Sequence, residues 1–438
     1  MALNFISTSG RAAPVSFLEA MRQGLAPDGG LYKPSHIPVP AKGFWEALPK
    51  LCFTEIAYNL ARPWLSGELS DAQISLVVED AFHFEPELVH LHSNHFVLEL
   101  FHGPTLAFKD FGARFMARLF SEIAGRKEKT VHILVATSGD TGSAVAHGFY
   151  KVPGVKVFLL YPKGKVSRLQ EMQMTTLGEN ITTLEVDGVF DDCQALVKRA
   201  FTDPELNSSM ELSSANSINV ARLLPQSFYY PFAVGQLSAQ FQAPPVFSVP
   251  SGNFGNLTGG LLAKWMGMTV RRFIAATNRN DVVPRFLRGE KYDPAPSVQT
   301  PSNAMDVGNP SNFERIRHLF DGNNKEIRKW IRGYACSDQE TFNTIRNLSL
   351  DPGYLACPHT AVGLWGAAQY QKTDISGYPL VTLATAHPVK FRDVIEPETG
   401  ENIPVPEHLE QWLRKEKKSL PLNGGYAQFS ELLRSGLE

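Results

Sequence analysis

The sequence predicts an α/β fold of mostly parallel, twisted sheets with flanking helices, preceded by a helical N-terminal domain. Two observations carry this. From Val97 onward, short apolar runs alternate with glycine-bearing loops and amphipathic stretches, the order in which strand, loop and helix follow one another in a sheet covered on both faces. Before about residue 95, apolar residues instead recur mainly at helical spacing. The length of 438 residues adds a third constraint, because it exceeds what one ordinary core organises and implies two or more domains.

In the first segment, Ser16 followed by Glu19 has the spacing of a capping box and predicts a helix through Arg22. Gly24, Pro27, Asp28, Gly29 and Gly30 in QGLAPDGGLYKP then stop it. Helical periodicity resumes in FWEALPKLCFTEIAYNLARPWL and from Ile74 to Phe84. Strands are predicted at Val97 to Phe101, Val131 to Ala136, Val155 to Tyr161, Asn180 to Val186, Pro245 to Val249 and Val381 to Ala384. Helices are expected from about Asp110, in AVAHGFYK, in RLQEMQMTTLG, in DDCQALVKRAF and in LTGGLLAKWM.

Composition excludes several classes of function. With 42 basic and 44 acidic residues the formal charge is -2, and no basic arm or stripe points to nucleic acid. No apolar run approaches a membrane-spanning length, and the opening MALNFISTSGRAAPVSF lacks the features of a secretory signal, so a cytoplasmic protein is expected. Cys52, Cys193, Cys336 and Cys357 are far apart and read as free thiols, mostly buried. His90, His92 and His95 have a spacing that could gather metal ligands. The absence of a nearby cysteine or a helical i, i+4 pair favours a turn-rich linker, and no metal is expected.

The chemistry concentrates in loops after predicted strands. HGPTLAFKD, residues 102 to 110, turns from a strand into a helix and ends on Lys109. A lysine there is ordinarily solvated. A helix start disfavours a cation, however, and Phe108 and Phe111 would keep water from it. Both effects lower its pKa and make a nucleophilic amine suited to a Schiff base with a carbonyl cofactor. The loop SGNFGN, Ser251 to Asn256, lets backbone N–H groups converge at a helix start through Gly252 and Gly255; it reads either as a phosphate site or as a turn without a ligand. TSGDTGSA places Thr137, Ser138 and Thr141 at another helix start, as a second anion site or as helix caps. SANSINVARLLPQ combines Asn216, Ser217 and Asn219 with Arg222, either a bidentate donor for an anion or an exposed residue after a cap. ATAHPVKF puts Thr385 and His387 just past the last predicted strand, where either could reach the site. MDVGNPSNFERI, residues 305 to 316, is rich in turn formers and has no role assignable from its chemistry.

The motifs ELFHGPTLAFKD, VATSGDTGSA, NSINVARLLPQ, PSGNFGN, MDVGNPSNFERI and ATAHPVKF, in this order, closely resemble those of the threonine synthase family, as does QGLAPDGGLYKP near the start. The resemblance implies a fold type II enzyme using pyridoxal 5'-phosphate, similar to the tryptophan synthase β chain. It also implies a division into an N-terminal domain of residues 1–95 and a cofactor-binding region of 96–438, with a smaller subdomain at about 110–230 and a larger one at about 231–438 joined by 96–109. It matches Lys109 with the family's Schiff-base lysine and places Phe108 beside the cofactor ring. It matches Gly252, Asn253, Phe254, Gly255 and Asn256 with the cofactor-phosphate loop, Thr385 with the hydroxyl on the pyridine nitrogen, and Asp140 with a position near the phenolic oxygen. Thr137, Ser138, Thr141, Asn216, Ser217 and Arg222 match the groups around the substrate's carboxylate and phosphate. The implied reaction converts O-phospho-L-homoserine and water to L-threonine and phosphate. Two alternatives stand beside it: a phospho-lyase or dehydratase releasing 2-oxobutyrate, and a non-catalytic protein keeping the fold for binding. The partner is a small molecule, and monomer and homodimer are equally open.

Overall fold

The computed structural model describes residues 3–123, 130–374 and 377–435. The strands are β1 (Phe5–Ser7), β2 (Tyr32–Pro34), β3 (Glu87–His92), β4 (His95–Glu99), β5 (Val131–Ala136), β6 (Val155–Pro162), β7 (Ile181–Val186), β8 (Glu211–Ser214), β9 (Val246–Pro250), β10 (Arg272–Thr277), β11 (Ile331–Ala335), β12 (Leu380–Ala384) and β13 (Leu420–Leu422). They form a six-stranded sheet in the order β11-β10-β9-β12-β4-β3, a five-stranded sheet in the order β13-β7-β6-β5-β8, and a ribbon of β1 with β2. Every pairing within the two larger sheets is parallel except β3 with β4. Parallel strands need cover on both faces, and β5, β9 and β12 are buried along their whole length.

The predicted strands are all present, and the structure adds others, including the apolar β10 and the shorter β8, β11 and β13. The expectation of a turn-rich linker around His90, His92 and His95 is corrected: these residues lie on the antiparallel hairpin β3–β4. His90 Nε2 meets the Ser93 carbonyl at 2.8 Å, and His95, buried, meets Thr382 Oγ1 at 3.0 Å. Among the described residues, the one group with metal-like spacing is Glu87, Glu99 and His102, where His102 Nε2 pairs with Glu99 at 2.9 Å.

The N-terminal segment is largely helical, with helices Phe17–Gln23, Phe53–Leu65 and Asp71–Ala81, but it also contains the β1–β2 ribbon and β3. Ser16 caps the first helix as its spacing predicts, accepting from the Glu19 N–H at 3.3 Å. The carboxylate that receives the Phe17 N–H, at 2.8 Å, comes from Glu68. Gly24 ends the helix at φ 68°, where a Cβ would stand 2.9 Å from the Ser214 nitrogen. The N-terminal segment therefore backs directly onto the end of β8. We propose that the protein divides by sheet and not by position in the chain, since residues 87–99 join the larger sheet and residues 420–422 return to the smaller one.

The helix Lys109–Ile123 is the element on which the parts meet. Its apolar face, with Phe111, Phe115, Met116, Leu119, Phe120 and Ile123, is buried at helical spacing. Phe111 stands edge-on to Phe53, Phe84 and Tyr229 at 4.9 to 5.4 Å. It thus packs the N-terminal helices and the Phe228–Phe232 region against the helix that begins with Lys109. Truncation Phe111→Ala removes a fully buried ring and is expected to lower unfolding stability by about 3–5 kcal/mol, measured by denaturant titration. A loss below about 1 kcal/mol would show that this cluster does not join the N-terminal segment to the rest.

Candidate active site

The loops that sequence singles out converge because of strand order. β9, β12 and β4 are parallel neighbours, so the Ser251–Asn256 loop, Thr385 and the Lys109 loop leave the same edge of the larger sheet. β5 and β8 are likewise parallel neighbours, which brings the Thr137–Thr141 and Ala215–Arg222 segments together at one edge of the smaller sheet. Ligands of such sheets bind at the carboxyl ends of the strands. Here both edges open into one cleft of about 2320 Å³, whose lining includes Phe108, Lys109, Thr137, Ser138, Asp140, Thr141, Asn216, Ser217, Arg222, Gly252 to Asn256 and Thr385. That volume exceeds a typical small-molecule pocket of about 300–1,000 Å³ and leaves room for a cofactor and a substrate side by side.

The Lys109 loop is fastened to β12 and its continuation. The Leu100 N–H donates to the Ala384 carbonyl at 2.9 Å, the Phe108 N–H to Thr385 at 2.9 Å, and the His387 N–H to Leu106 at 3.1 Å. Inside the loop, buried Asp110 accepts from the Thr105 N–H at 2.9 Å and from its hydroxyl at 2.6 Å. Lys109 is thereby presented as the first residue of its helix, with Nζ 6.0 Å from the Phe108 ring centre. It keeps part of its surface open to the cleft. Desolvation by the surrounding protein pulls its pKa down to about 8, with Arg222 and Lys390 adding to the shift and Asp140 opposing it.

At the end of β9 the chain turns through Phe254, which lies at φ 59°, into the helix Gly255–Trp265. The first amides of that helix have no partner within it and face the same way. Gly252 is required on packing grounds, because a Cβ there would lie 2.6 Å from Met305 Cα. Asn253 is held at both ends of its amide: Nδ2 donates to Ser217 Oγ at 2.6 Å, and Oδ1 accepts from the Ser311 N–H at 2.6 Å. Asn256 Oδ1 accepts from the hydroxyls of Tyr229 at 2.6 Å and Tyr230 at 2.8 Å. The segment 305–316, without a role at the sequence level, is thus a wall of this loop.

In the smaller sheet, Thr137 Oγ1 accepts from the N–H groups of Gly139 at 3.0 Å and Gly142 at 2.8 Å, so it caps the helix Asp140–Phe149 and retains its single hydrogen for a ligand. Ser138 and Thr141 keep surface on the cleft. Asn216 Nδ2 donates to the Ala136 carbonyl at 2.9 Å and ties the two loops together. Arg222 is buried against Gly112, a turn into the Lys109 helix, with Nη1 donating to the Ala215 carbonyl. Asn219, by contrast, turns away: its amide donates to the Met21 carbonyl at 2.8 Å and anchors the N-terminal helix. His387 also stays off the cleft lining, accepting from the Val389 N–H at 3.1 Å.

Four residues that build the site carry no local signal in the sequence. Lys390, fully buried, pairs with Asp140 at 2.7 Å, and Gln170 Nε2 donates to the same carboxylate at 2.9 Å. Burial alone would raise the Asp140 pKa, but Lys390 and Lys109 outweigh it and hold the carboxyl well below its ordinary range. His359, at the start of the helix Pro358–Gln371, accepts the Ala304 N–H at 3.2 Å on Nε2 and is held neutral by burial, its pKa pushed down to about 4. Arg315 is buried and bonds to neutral acceptors, donating to the carbonyls of Tyr32, Ser217 and Ile218 and to Asn312 Oδ1 at 2.7 Å. It pins the N-terminal segment and the 217–218 loop to one helix.

The cleft fits a phosphorylated carbonyl cofactor. Buried polar atoms ordinarily find partners, yet Arg222 Nε, Gln226 Oε1, Asn256 Nδ2, Asn303 Oδ1 and His359 Nδ1 lack one among the described residues, and all five residues line the cleft. The glycine loop offers amides to a phosphate, and Lys109 offers a desolvated amine to a carbonyl.

These features define a pyridoxal-phosphate-dependent enzyme, and the family model described as "Pyridoxal-phosphate dependent enzyme" matches residues 86–386. Models for the threonine synthase N terminus and C-terminal region match residues 4–82 and 360–430. The chain is 44% identical over 419 residues to threonine synthase of Haemophilus influenzae, covering 96% of each. It is 46% identical over 409 residues to that of Escherichia coli, covering 93% of this chain and 92% of the other. The crystal structure of the E. coli enzyme superposes with a TM-score of 0.91 at 43% identity, and that of PLP-bound threonine synthase from Brucella melitensis with 0.92 at 34%, each over 99% of both chains. The chain belongs to the threonine synthase family.

Two outcomes are expected. Gly252→Ala drives a methyl group into the Met305 backbone and should weaken cofactor binding at least about tenfold, roughly 1.4 kcal/mol, by equilibrium titration; unchanged affinity would show that the loop does not contact the cofactor. An amine reacts with a carbonyl only when unprotonated, so the rate at which cofactor-stripped protein takes up pyridoxal phosphate should rise with pH and reach half its maximum at about 8. A half-point near about 10.4, that of ordinary lysine, would show that Lys109 is not desolvated.

Proposed function

We propose that the protein converts O-phospho-L-homoserine and water to L-threonine and inorganic phosphate. The observation that carries this reading is the presence of two anion-binding edges on one cleft, the glycine loop at the larger sheet and Ser138, Thr141 and Arg222 at the smaller, with Lys109 on the same lining. One edge suits the phosphate of the cofactor. The other suits a substrate that carries anions of its own, as an amino-acid phosphate ester does.

We assign residue roles accordingly. Lys109 anchors the cofactor and, when free, takes and returns protons at the substrate carbons; a pKa of about 8 lets it do both near neutral pH. Gly252, Asn253, Phe254, Gly255 and Asn256 hold the cofactor phosphate, with the Asn253 amide fixing the loop against Ser217 and Ser311. Thr385, whose carbonyl is fixed by the Phe108 N–H, would supply a hydroxyl to the ring nitrogen, and Phe108 would lie against the ring. Asp140, held by Lys390 and Gln170, would serve the ring oxygen as a carboxylate. Arg222, through its unpartnered Nε, works with Ser138, Thr141 and the Thr137 hydroxyl to hold the substrate's anionic groups, while Asn216 and Ser217 keep that edge in shape. The bound cofactor supplies the electron sink for chemistry at the amino-acid carbons.

The reading is tested by supplying O-phospho-L-homoserine and measuring threonine and 2-oxobutyrate together. Threonine is expected as the main product; 2-oxobutyrate in excess would assign the protein to phospho-lyase or dehydratase chemistry. Lys109→Ala should lower threonine formation at least about a thousandfold, and full activity would remove Lys109 from the mechanism. Arg222→Lys keeps the charge but loses the planar donor, and should lower kcat/KM by about 10- to 100-fold.

A further inference from the structure

Lys390 follows the strand that delivers Thr385, and its side chain is as closed to solvent as any in the core. Its ammonium has two partners on different parts of the molecule: the Thr105 carbonyl in the Lys109 loop at 2.8 Å, and the Asp140 carboxylate, heading a helix of the smaller sheet, at 2.7 Å. Gln170 holds the same carboxylate oxygen at 2.9 Å, and Gly139 leaves the space for it, since a Cβ there would meet Gln170 Oε1 at 2.4 Å. A buried ion pair adds little net stability over an apolar pair of the same volume. Lysine is moreover almost never fully buried unless paired, and the partner of this one, Asp140, lines the ligand cleft, which points to a role in the site.

That role follows from what stands next to it. Asp140 and Lys109 line the same cleft, and the charges of Asp140 and Lys390 act on the Lys109 amine in opposite senses, the carboxylate favouring its protonated form and the ammonium opposing it. The other ionisable groups around them are Asp110, which Thr105 holds and burial keeps toward its neutral form, His147 and His359, both kept neutral by burial, Cys357, whose thiol burial pushes up, and Arg222, which adds positive potential at Lys109. None of these pairs with Asp140 as Lys390 does.

Building on the assignment of Lys109 as the cofactor lysine, we propose that Lys390 is a positioning residue for the reaction: through its pair with Asp140 it holds that carboxylate in place at the cleft wall, and the balance of the two charges sets the protonation of the Lys109 nitrogen. Lys390 also joins the two halves of the site, because one ammonium grips the Lys109 loop of the larger sheet and the helix head of the smaller.

The test is a pH titration of the visible absorption band of the holoenzyme, whose midpoint reports protonation at the Lys109 nitrogen. Lys390→Met leaves the carboxylate unopposed, and the midpoint should move up by about one pH unit or more. Asp140→Asn leaves the ammonium unopposed, and the midpoint should move down by a comparable amount. The double variant removes both charges and should return close to the starting value. Where Lys390→Met does not yield folded protein, Lys390→Gln drops the charge while keeping a donor for the Thr105 carbonyl, and carries the same expectation. A pair that served only packing would not produce shifts of opposite sign that cancel in the double variant. Shifts in the same direction, or none, overturn the proposal provided borohydride reduction still tags Lys109; a tag on another lysine overturns both the proposal and the assignment it builds on.

Discussion

An ammonium group withdrawn from water is unfavourable, and much of the site is organised around holding Lys109 in that condition while leaving it able to reach a ligand. Its position is imposed by backbone: hydrogen bonds from Leu100, Phe108 and His387 lace the loop to β12 and the residues after it. Its helix is held by the aromatic cluster around Phe111. No carboxylate pairs with it directly among the described residues; Asp110 is occupied by Thr105 and Asp140 by Lys390. The result is an amine whose charge is set by its surroundings and not by one salt bridge.

The remaining elements act at one remove from that amine. The N-terminal segment is a buttress, with its Met21 carbonyl gripped by Asn219 and its Tyr32 carbonyl by Arg315, so the loop bearing Ser217 and Arg222 is backed by residues nearly two hundred positions earlier. The segment 303–316 does the same for the glycine loop, through Met305 beneath Gly252 and Ser311 on Asn253. Such outer contacts hold the residues that touch ligands within the narrow tolerance that catalysis requires. They also explain how flexible loop sequences supply fixed donors.

What could be read from sequence was whatever is encoded within a few residues. Lys109, the glycine loop and the hydroxyl loop each sit at a strand-to-helix turn whose physics is local, and the long apolar strands announce themselves. β8, with the sequence ELSS, is polar because one end serves a loop and the other meets Arg22. The histidine hairpin resembled a linker because β3 lies at an edge, where exposure removes the apolar signal. Lys390 and Arg315 were invisible for a different reason. Their meaning lies in partners far along the chain, Asp140 in one case and Tyr32 with Ser217 in the other, and no window of sequence contains both members.

The strand order has a consequence for how the chain comes off the ribosome. β7 is flanked on one side by β6, its near predecessor, and on the other by β13, about 230 residues later. At synthesis rates of about 5–20 residues per second, that flank of β7 stands without its neighbour for roughly 10 to 50 s. A half-made sheet with a bare parallel edge can recruit the wrong strand. In the finished protein Glu185 on β7 is met at 2.7 Å by Lys417, three residues before β13. The segment that delivers the last strand to the sheet thus also delivers a lysine to the strand it joins.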